Sequence, residues 1–162
     1  IIYYGDEIGM GDNLDLPDRN GVRTPMQWDA SPNAGFTTGK PFTELVTGER
    51  SYQHINVASQ MADKDSLFHS ISRMVNIRKQ HHTFGHGAME WVITNNRSLA
   101  IYTRTYQDDI LLIINNLSGS AQTVSLPVEH HADYVDLLSN TTYQIGSSLT
   151  LQPYAHLWLK RK

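Results

Sequence analysis

Ile1-Ile2-Tyr3-Tyr4-Gly5-Asp6-Glu7-Ile8-Gly9-Met10-Gly11-Asp12 is the stretch that decides the fold. Its first four residues are strand formers with no polar alternation, the pattern of a strand buried on both faces within a parallel sheet flanked by helices. Glycines and acids then alternate closely enough to stop regular structure and open a loop. A strand of this kind needs neighbours on each side and nothing upstream supplies them, so the chain is expected to be the downstream part of a longer polypeptide.

Working outward, the loop runs to about Phe42, broken by Pro17, Asn20-Gly21, Pro25, Pro32 and Gly35. A loop this long in a compact domain is usually functional or disordered, and Met26, Trp28 and Phe36 favour order. Ile55 to Met61 predicts a short helix, with an Asp of Asp63-Lys64-Asp65 as N-cap of a longer one. Over Ser66 to Gln80, Leu67, Ile71, Met74, Val75 and the stem of Arg78 fall on one helical face, and Arg78 and Lys79 suit the dipole at its end. Past residue 83 the period changes. Seven short runs, Ala88–Ile93, Leu99–Tyr106, Ile110–Asn115, Gln122–Leu126, Tyr134–Leu138, Ser148–Leu151 and Ala155–Leu159, are separated by turn residues and predict a small antiparallel sandwich or barrel. The expected class is α+β, with a first domain over 1–83 and an all-β domain over 84–162.

Composition narrows the partners. The 162 residues carry 13 Lys+Arg against 16 Asp+Glu, a net charge of −3 with no basic block, which removes the footprint that nucleic acid requires. No apolar run approaches the ~20 residues of a membrane span. The absence of Cys excludes disulfides, thiolate zinc sites and Cys nucleophiles, and fits a cytoplasmic location.

Several groups invite a functional reading beside a plain structural one. Asp6 and Glu7 follow the first strand, where barrel enzymes place reactive groups, yet carboxylates there also hold loop amides, and loop support is the preferred reading. Arg19 and Arg23, interleaved with Asp18, Asn20, Gln27 and Trp28, can bind sugar hydroxyls through fixed guanidinium donors and an indole face, or form a structural ion-pair loop. His81-His82 and His130-His131 have no carboxylate companions at ligand spacing, and Asp12-Asn13-Leu14-Asp15 lacks the full pattern of a calcium loop, so no metal site is expected. Tyr52, Trp91, Tyr102, Tyr106 and Trp158 can form a sugar platform on the β domain, with core packing the preferred reading.

The motifs Ile2 to Met10, Arg23-Thr24-Pro25-Met26-Gln27-Trp28 and Asn33-Ala34-Gly35-Phe36 resemble the end of the catalytic barrel in glycoside hydrolase family 13, the α-amylase family. Gly11-Asp12-Asn13, Asp18 to Arg23 and Asn56-Val57-Ala58-Ser59-Gln60 are similar to the trehalose synthase branch. Ala34 to Pro41 instead resembles oligo-1,6-glucosidases and other α-glucosidases. The resemblance implies the last strand, loop and helix of a (β/α)8 barrel followed by an antiparallel β-sandwich. It implies a parent that interconverts maltose and trehalose, or hydrolyses α-glucosides, with a retaining pair of carboxylates on strands upstream of Ile1. A stand-alone glucan-binding role for the sandwich is a further alternative. By the same resemblance Arg23 reaches the subsite of the non-reducing glucose, while Asp6, Glu7, Arg19, Gln27 and Trp28 support the loop. This chain by itself is expected to need no cofactor and to be inactive, although the full-length parent can hold calcium. Its partners would be maltose or trehalose in that parent and the N-terminal barrel. A lone apolar first strand would also invite self-association.

Overall fold

The computed structural model describes residues 1–162, which divide into two compact units, Ile1–Arg73 and Met74–Lys162. The first unit is a long ordered loop that closes on itself through single helical turns. These turns span Asp6–Ile8, Asp18–Val22 and Gly48–Arg50, while Pro32–Gly35 turns through left-handed backbone at Asn33 (φ 59°) and Ala34 (φ 60°). Gly5 opens the first of them at φ 93°, a left-handed conformation that disfavours any side chain. Gly21 is held by proximity rather than by φ, because a Cβ there would sit 2.6 Å from the Asn13 carbonyl oxygen.

Ile1–Tyr4 pairs with no other segment of this chain and is not part of its sheets. A strand exists through its ladder, and no other segment of this chain pairs beside it. Two helices follow, α1 (Val57–Ala62) and α2 (Leu67–Gln80). Asn56 caps α1, its side chain accepting from Ser59 N at 2.8 Å. At the head of α2 the expected Asp cap is displaced by Ser66, whose Oγ accepts from His69 N while donating to the Gln60 carbonyl at 2.7 Å. Asp63 instead accepts from Asp65 N, closing the turn before the helix. The apolar stripe predicted for α2 is present, but no residue of the helix is buried.

In the second unit, α3 (Thr83–His86) precedes eight strands: β1 (Ala88–Trp91), β2 (Leu99–Tyr106), β3 (Asp109–Asn116), β4 (Gln122–Val124), β5 (Ala132–Asp136), β6 (Thr142–Ile145), β7 (Leu149–Leu151) and β8 (His156–Arg161). Six of them form an antiparallel sheet in the order β1-β2-β3-β8-β5-β6, and β4 pairs with β7 in a second sheet. The sandwich core lies between the sheets, where Leu112 and Ile114 of β3 meet Ile101, Tyr134, Leu157 and Leu159 from the large sheet and Val124 and Leu151 from the small one. Strand β3 is central, and Leu111 and Ile113 on its other face are also buried. The run Ile110 to Ile114 is continuous because it is covered from both sides, each such side chain contributing about 1.5–3 kcal/mol. Of the eight strands, β6 is absent from the sequence reading because it is a four-residue edge strand with only Ile145 buried.

Two buried polar residues hold the sandwich corners. Asn116 donates to the Ser120 and Gln152 carbonyls, both at 2.8 Å, and accepts from Ser118 N and Oγ. Asp136 accepts from Trp158 N at 2.9 Å and from Ser139 N and Oγ. Buried polar groups survive in cores when their bonding capacity is met in this way.

Candidate functional site

The Arg23-Thr24-Pro25-Met26-Gln27-Trp28 segment runs extended through the middle of the first unit, and its backbone and side chains are held from several directions. The Gln27 carbonyl accepts from Val57 N at 3.0 Å and the Trp28 carbonyl from Ala58 N at 2.9 Å, which ties the segment to the start of α1. Gln27 is fully buried and donates from Nε2 to the Ile55 and Arg50 carbonyls at 2.5 and 3.2 Å. Arg50 returns to the first loop through Nη1, donating to the Gly9 carbonyl at 2.7 Å, and Gln60 Nε2 reaches the Ile8 carbonyl at 2.6 Å. The two motif stretches are therefore joined by side chains that donate to backbone carbonyls, the bonds a loop needs when it has no strand partner.

These ties bring Tyr4, Glu7, Thr24, Trp28, Phe36 and Phe42 around one cavity of about 350 Å³. Tyr4 donates its hydroxyl to the Thr24 carbonyl at 2.9 Å. Burial, reinforced by the neighbouring Tyr3 phenol, pushes the Tyr4 phenol above its usual pKa, against a smaller opposite pull from Arg23. Glu7 accepts from Gly5 N through Oε2 at 2.8 Å and has no cationic partner. Phe36 and Phe42 lie with ring centroids 5.9 Å apart. The Thr24 hydroxyl and the Gln27 carbonyl oxygen Oε1 are buried without a partner.

Of the residues singled out from the sequence, Glu7 and Trp28 line this cavity, while Gln27 is fully buried and not part of its lining. Asp6 turns away and accepts from Tyr3 N at 2.8 Å. Arg19 lies 3.7 Å from Asp18 with both side chains largely exposed, an ion pair worth little. Arg23 is exposed and its guanidinium makes no ion pair. Sequence reasoning missed Tyr4 and Phe42 as cavity walls, since Tyr4 reads as part of the first apolar run and Phe42 as the end of the loop, and only the tertiary path of the loop brings them together. No group of three or more His, Asp and Glu side chains that could hold a metal occurs in the chain.

The five aromatic residues weighed for the β domain divide otherwise than expected. Tyr52 lies in the first unit, outside the β domain. None of the other four enters the sandwich core, whose aromatic member is Tyr134. Register places Trp91 opposite Tyr102 and Trp158 two strands away on the same face. Phe84 covers Trp158 at 4.6 Å, and Trp91 meets Tyr102 at a steep 68°.

An ordered loop unit carrying the end of a barrel, followed by an antiparallel sandwich, is the architecture that closes a (β/α)8 carbohydrate-processing enzyme. Residues 1–87 match the alpha amylase catalytic domain and residues 89–158 the maltogenic amylase C-terminal domain. The chain belongs to the α-amylase family, glycoside hydrolase family 13. It is 35% identical over 99% of its length to trehalose synthase of Pimelobacter sp. (strain R48), of which it spans 30%. It is 34% identical to the oligo-1,6-glucosidase of Bacillus cereus over 91% of its length, spanning 26% of that protein. Among solved structures it resembles the trehalulose synthase MutB of Pseudomonas mesoacidophila MX-45, with a TM-score of 0.85 and 25% identity over 99% of this chain and 35% of that one. The Bacillus licheniformis trehalose-6-phosphate hydrolase gives a TM-score of 0.82 at 26% identity, over 99% of this chain and 36% of that one. No helix of the chain is long and apolar enough to cross a membrane.

Proposed function

We propose that the chain is the C-terminal part of a cytoplasmic trehalose synthase, a retaining enzyme that interconverts maltose and trehalose by intramolecular glucosyl transfer. The observation that carries this reading is the 35% identity to a trehalose synthase across 99% of the chain. Such a reaction needs two carboxyls about 5 Å apart, one as nucleophile and one as acid/base. In the parent these belong to upstream strands, and the residues here supply binding. Arg23, exposed with a free guanidinium, offers planar donors to the hydroxyls of the non-reducing glucose and a partner for an upstream Asp. Gln27, Asp6, Glu7, Arg19 and Trp28 hold the loop that presents it.

Two experiments test this reading. The chain incubated with maltose should form neither trehalose nor glucose, and turnover above a blank overturns the assignment of the chemistry to upstream residues. In the full-length enzyme, Arg23→Ala should lower kcat/KM by the equivalent of about 1.5–3 kcal/mol, the contribution of a charged hydrogen bond. An unchanged kcat/KM removes Arg23 from the subsite. Product analysis of the same enzyme on maltose separates the isomerase from the second reading, an oligo-1,6-glucosidase, which the 34% identity to such an enzyme supports. The sandwich we read as a cap on the barrel. Its surface aromatics are crossed or covered, whereas a glucan platform needs open ring faces lying in one plane. Heat on titrating maltooligosaccharides into the chain, lost in Trp91→Ala, would make it a binding module instead.

A further inference from the structure

The connection between β1 and β2 faces the short strand β4 across an open groove of about 700 Å³, a size ordinary for ligand sites. Thr94, Asn95, Asn96 and Arg97 form one wall, and Thr123 and Ser125 belong to the other. Every lining residue falls in the second unit and within residues 89–158, so the groove is built by the sandwich alone. Its walls are tied together: Asn96 Nδ2 donates to Gln122 Oε1 at 2.8 Å, and Asn96 Oδ1 accepts from Ser98 N at 2.9 Å. Gln122 is fixed in turn, donating from Nε2 to the Ser118 and Ser120 hydroxyls at 3.1 and 3.0 Å. The spacing of the walls is thus set in advance, which lowers the ordering cost of binding.

The chemistry of this groove is one-sided. Arg97 is its only charged residue, is exposed and forms no ion pair, and the lining contains no Asp or Glu. A guanidinium presents paired donors that match a phosphate group. One arginine suits one phosphate, whereas a nucleic-acid backbone requires a row of cations. Asn95, Thr123 and Ser125, all exposed, bring amide and hydroxyl groups that donate and accept, as sugar hydroxyls require. Ile93, 83% exposed, adds apolar surface for the C–H face of a sugar ring. No aromatic residue lines the groove, so a neutral sugar has nothing to stack on and the anchor has to be Arg97.

We propose that this groove binds a phosphorylated monosaccharide, with its phosphate on Arg97 and its hydroxyls on Asn95, Ser125 and the neighbouring threonines. The site lies apart from the Arg23 motif in the other unit, so its test does not depend on the assignment of the parent reaction.

The test uses glucose 6-phosphate as the probe, with glucose and inorganic phosphate as its two halves. Each is titrated into the full 162-residue chain while backbone amide resonances are followed by NMR. Glucose 6-phosphate should give saturable shifts centred on residues 94–97 and 123–125, with glucose about tenfold weaker or more. Arg97→Gln, at an exposed side chain that folding does not need, should weaken the probe by about tenfold, the equivalent of one charged hydrogen bond. Ser125→Ala should weaken it by about threefold, as for a neutral bond. Lys64→Gln, which removes an exposed cation from the other unit, should leave the titration unchanged. No saturable shift by about 50 mM, near the weak end of measurable affinity, overturns the proposal. So does glucose binding as tightly as its phosphate, or an Arg97→Gln variant that binds as before. Inorganic phosphate binding as tightly as glucose 6-phosphate reduces the groove to a site for a bare anion and overturns the proposal as well.

Discussion

Thr24 and Gln27 sit three residues apart in the same motif, and each buries an oxygen that nothing in the chain satisfies. Their positions differ in consequence. Gln27 also donates two bonds from Nε2, to carbonyls that would themselves be stranded if the side chain were shortened. Its unpaired Oε1 is thus a cost accepted for two ties between loop segments. Thr24 has no such return: its hydroxyl is buried and unbonded, while its role in holding Tyr4 is played by its backbone carbonyl. Thr24→Val keeps the shape and removes the unsatisfied hydroxyl, so it should stabilise the chain by about 1 kcal/mol in urea unfolding. A loss of stability would show that the hydroxyl has a partner after all. Arg23 differs again, being exposed and without an ion pair in this chain.

At the scale of elements, α3 is pinned to the large sheet by a small polar network whose strength depends on pH. Thr83, buried at the head of α3, donates to Asp109 at the start of β3, and Lys160 of β8 lies 2.9 Å from the same carboxylate. Burial pushes the Asp109 carboxyl up, but Thr83, Lys160 and a weaker pull from His81 outweigh it and leave the pKa below its ordinary value of 3.8. His81 is lowered from 6.5, first by burial and then by Lys160, with Asp109 opposing. Arg104, packed against the same helix, donates to the Thr83 and Phe84 carbonyls. In both groups the unfolded chain binds the proton more readily, so stability rises with pH across each window. The His81 contribution is complete above 6.5 and is lost as pH falls through its depressed folded value. That of Asp109 is complete above 3.8 and is lost on further acidification. Urea midpoints followed by circular dichroism should therefore decline in two stages. Asp109→Asn should flatten the lower stage while extending the upper one, because His81 loses the carboxylate that supported its charged form. An unchanged lower stage in that variant would exclude Asp109 as its source.

The same elements show what the sequence makes legible. Where one face or both faces of a strand are buried, side-chain period reports it directly: the continuous Ile110 to Ile114 run is β3, central and covered twice, and seven of the eight strands are found. β6 escapes because an edge strand with one buried side chain has almost no pattern. Ile1–Tyr4 carries a strong pattern that no segment of this chain pairs, since pairing is a property of the neighbour as well as of the segment. The cavity is legible only in part. Glu7 and Trp28 stand out as a loop carboxylate and a motif indole, whereas Tyr4 reads as strand and Phe42 belongs to no motif, and long-range ties such as Gln27 to Ile55 and Gln60 to Ile8, which no local pattern encodes, bring the segments together.

On the scale of the whole molecule, the apolar surface left in water decides how the chain behaves at high concentration. Ile1 and Ile2 are exposed, and the Tyr3 and Tyr4 rings beside them lie tilted with centroids 4.6 Å apart, together forming an apolar edge. Leu67 and Val75 add a second exposed stripe along α2. A fully buried side chain of this type gains about 1.5–3 kcal/mol, whereas association costs about 4–15 kcal/mol before any gain appears. The first edge contains four such residues, so its burial against a second copy roughly offsets that cost and yields weak, reversible association. Sedimentation velocity should accordingly show a weight-average coefficient that rises with concentration. Ile2→Lys places a charge at the centre of the edge and should suppress the rise, because a desolvated, unpaired ammonium costs more than the remaining contacts supply. If Ile2→Lys sediments like the parent chain, the edge is not the contact. The same experiment on Val75→Lys then decides whether the stripe on α2 carries the association instead.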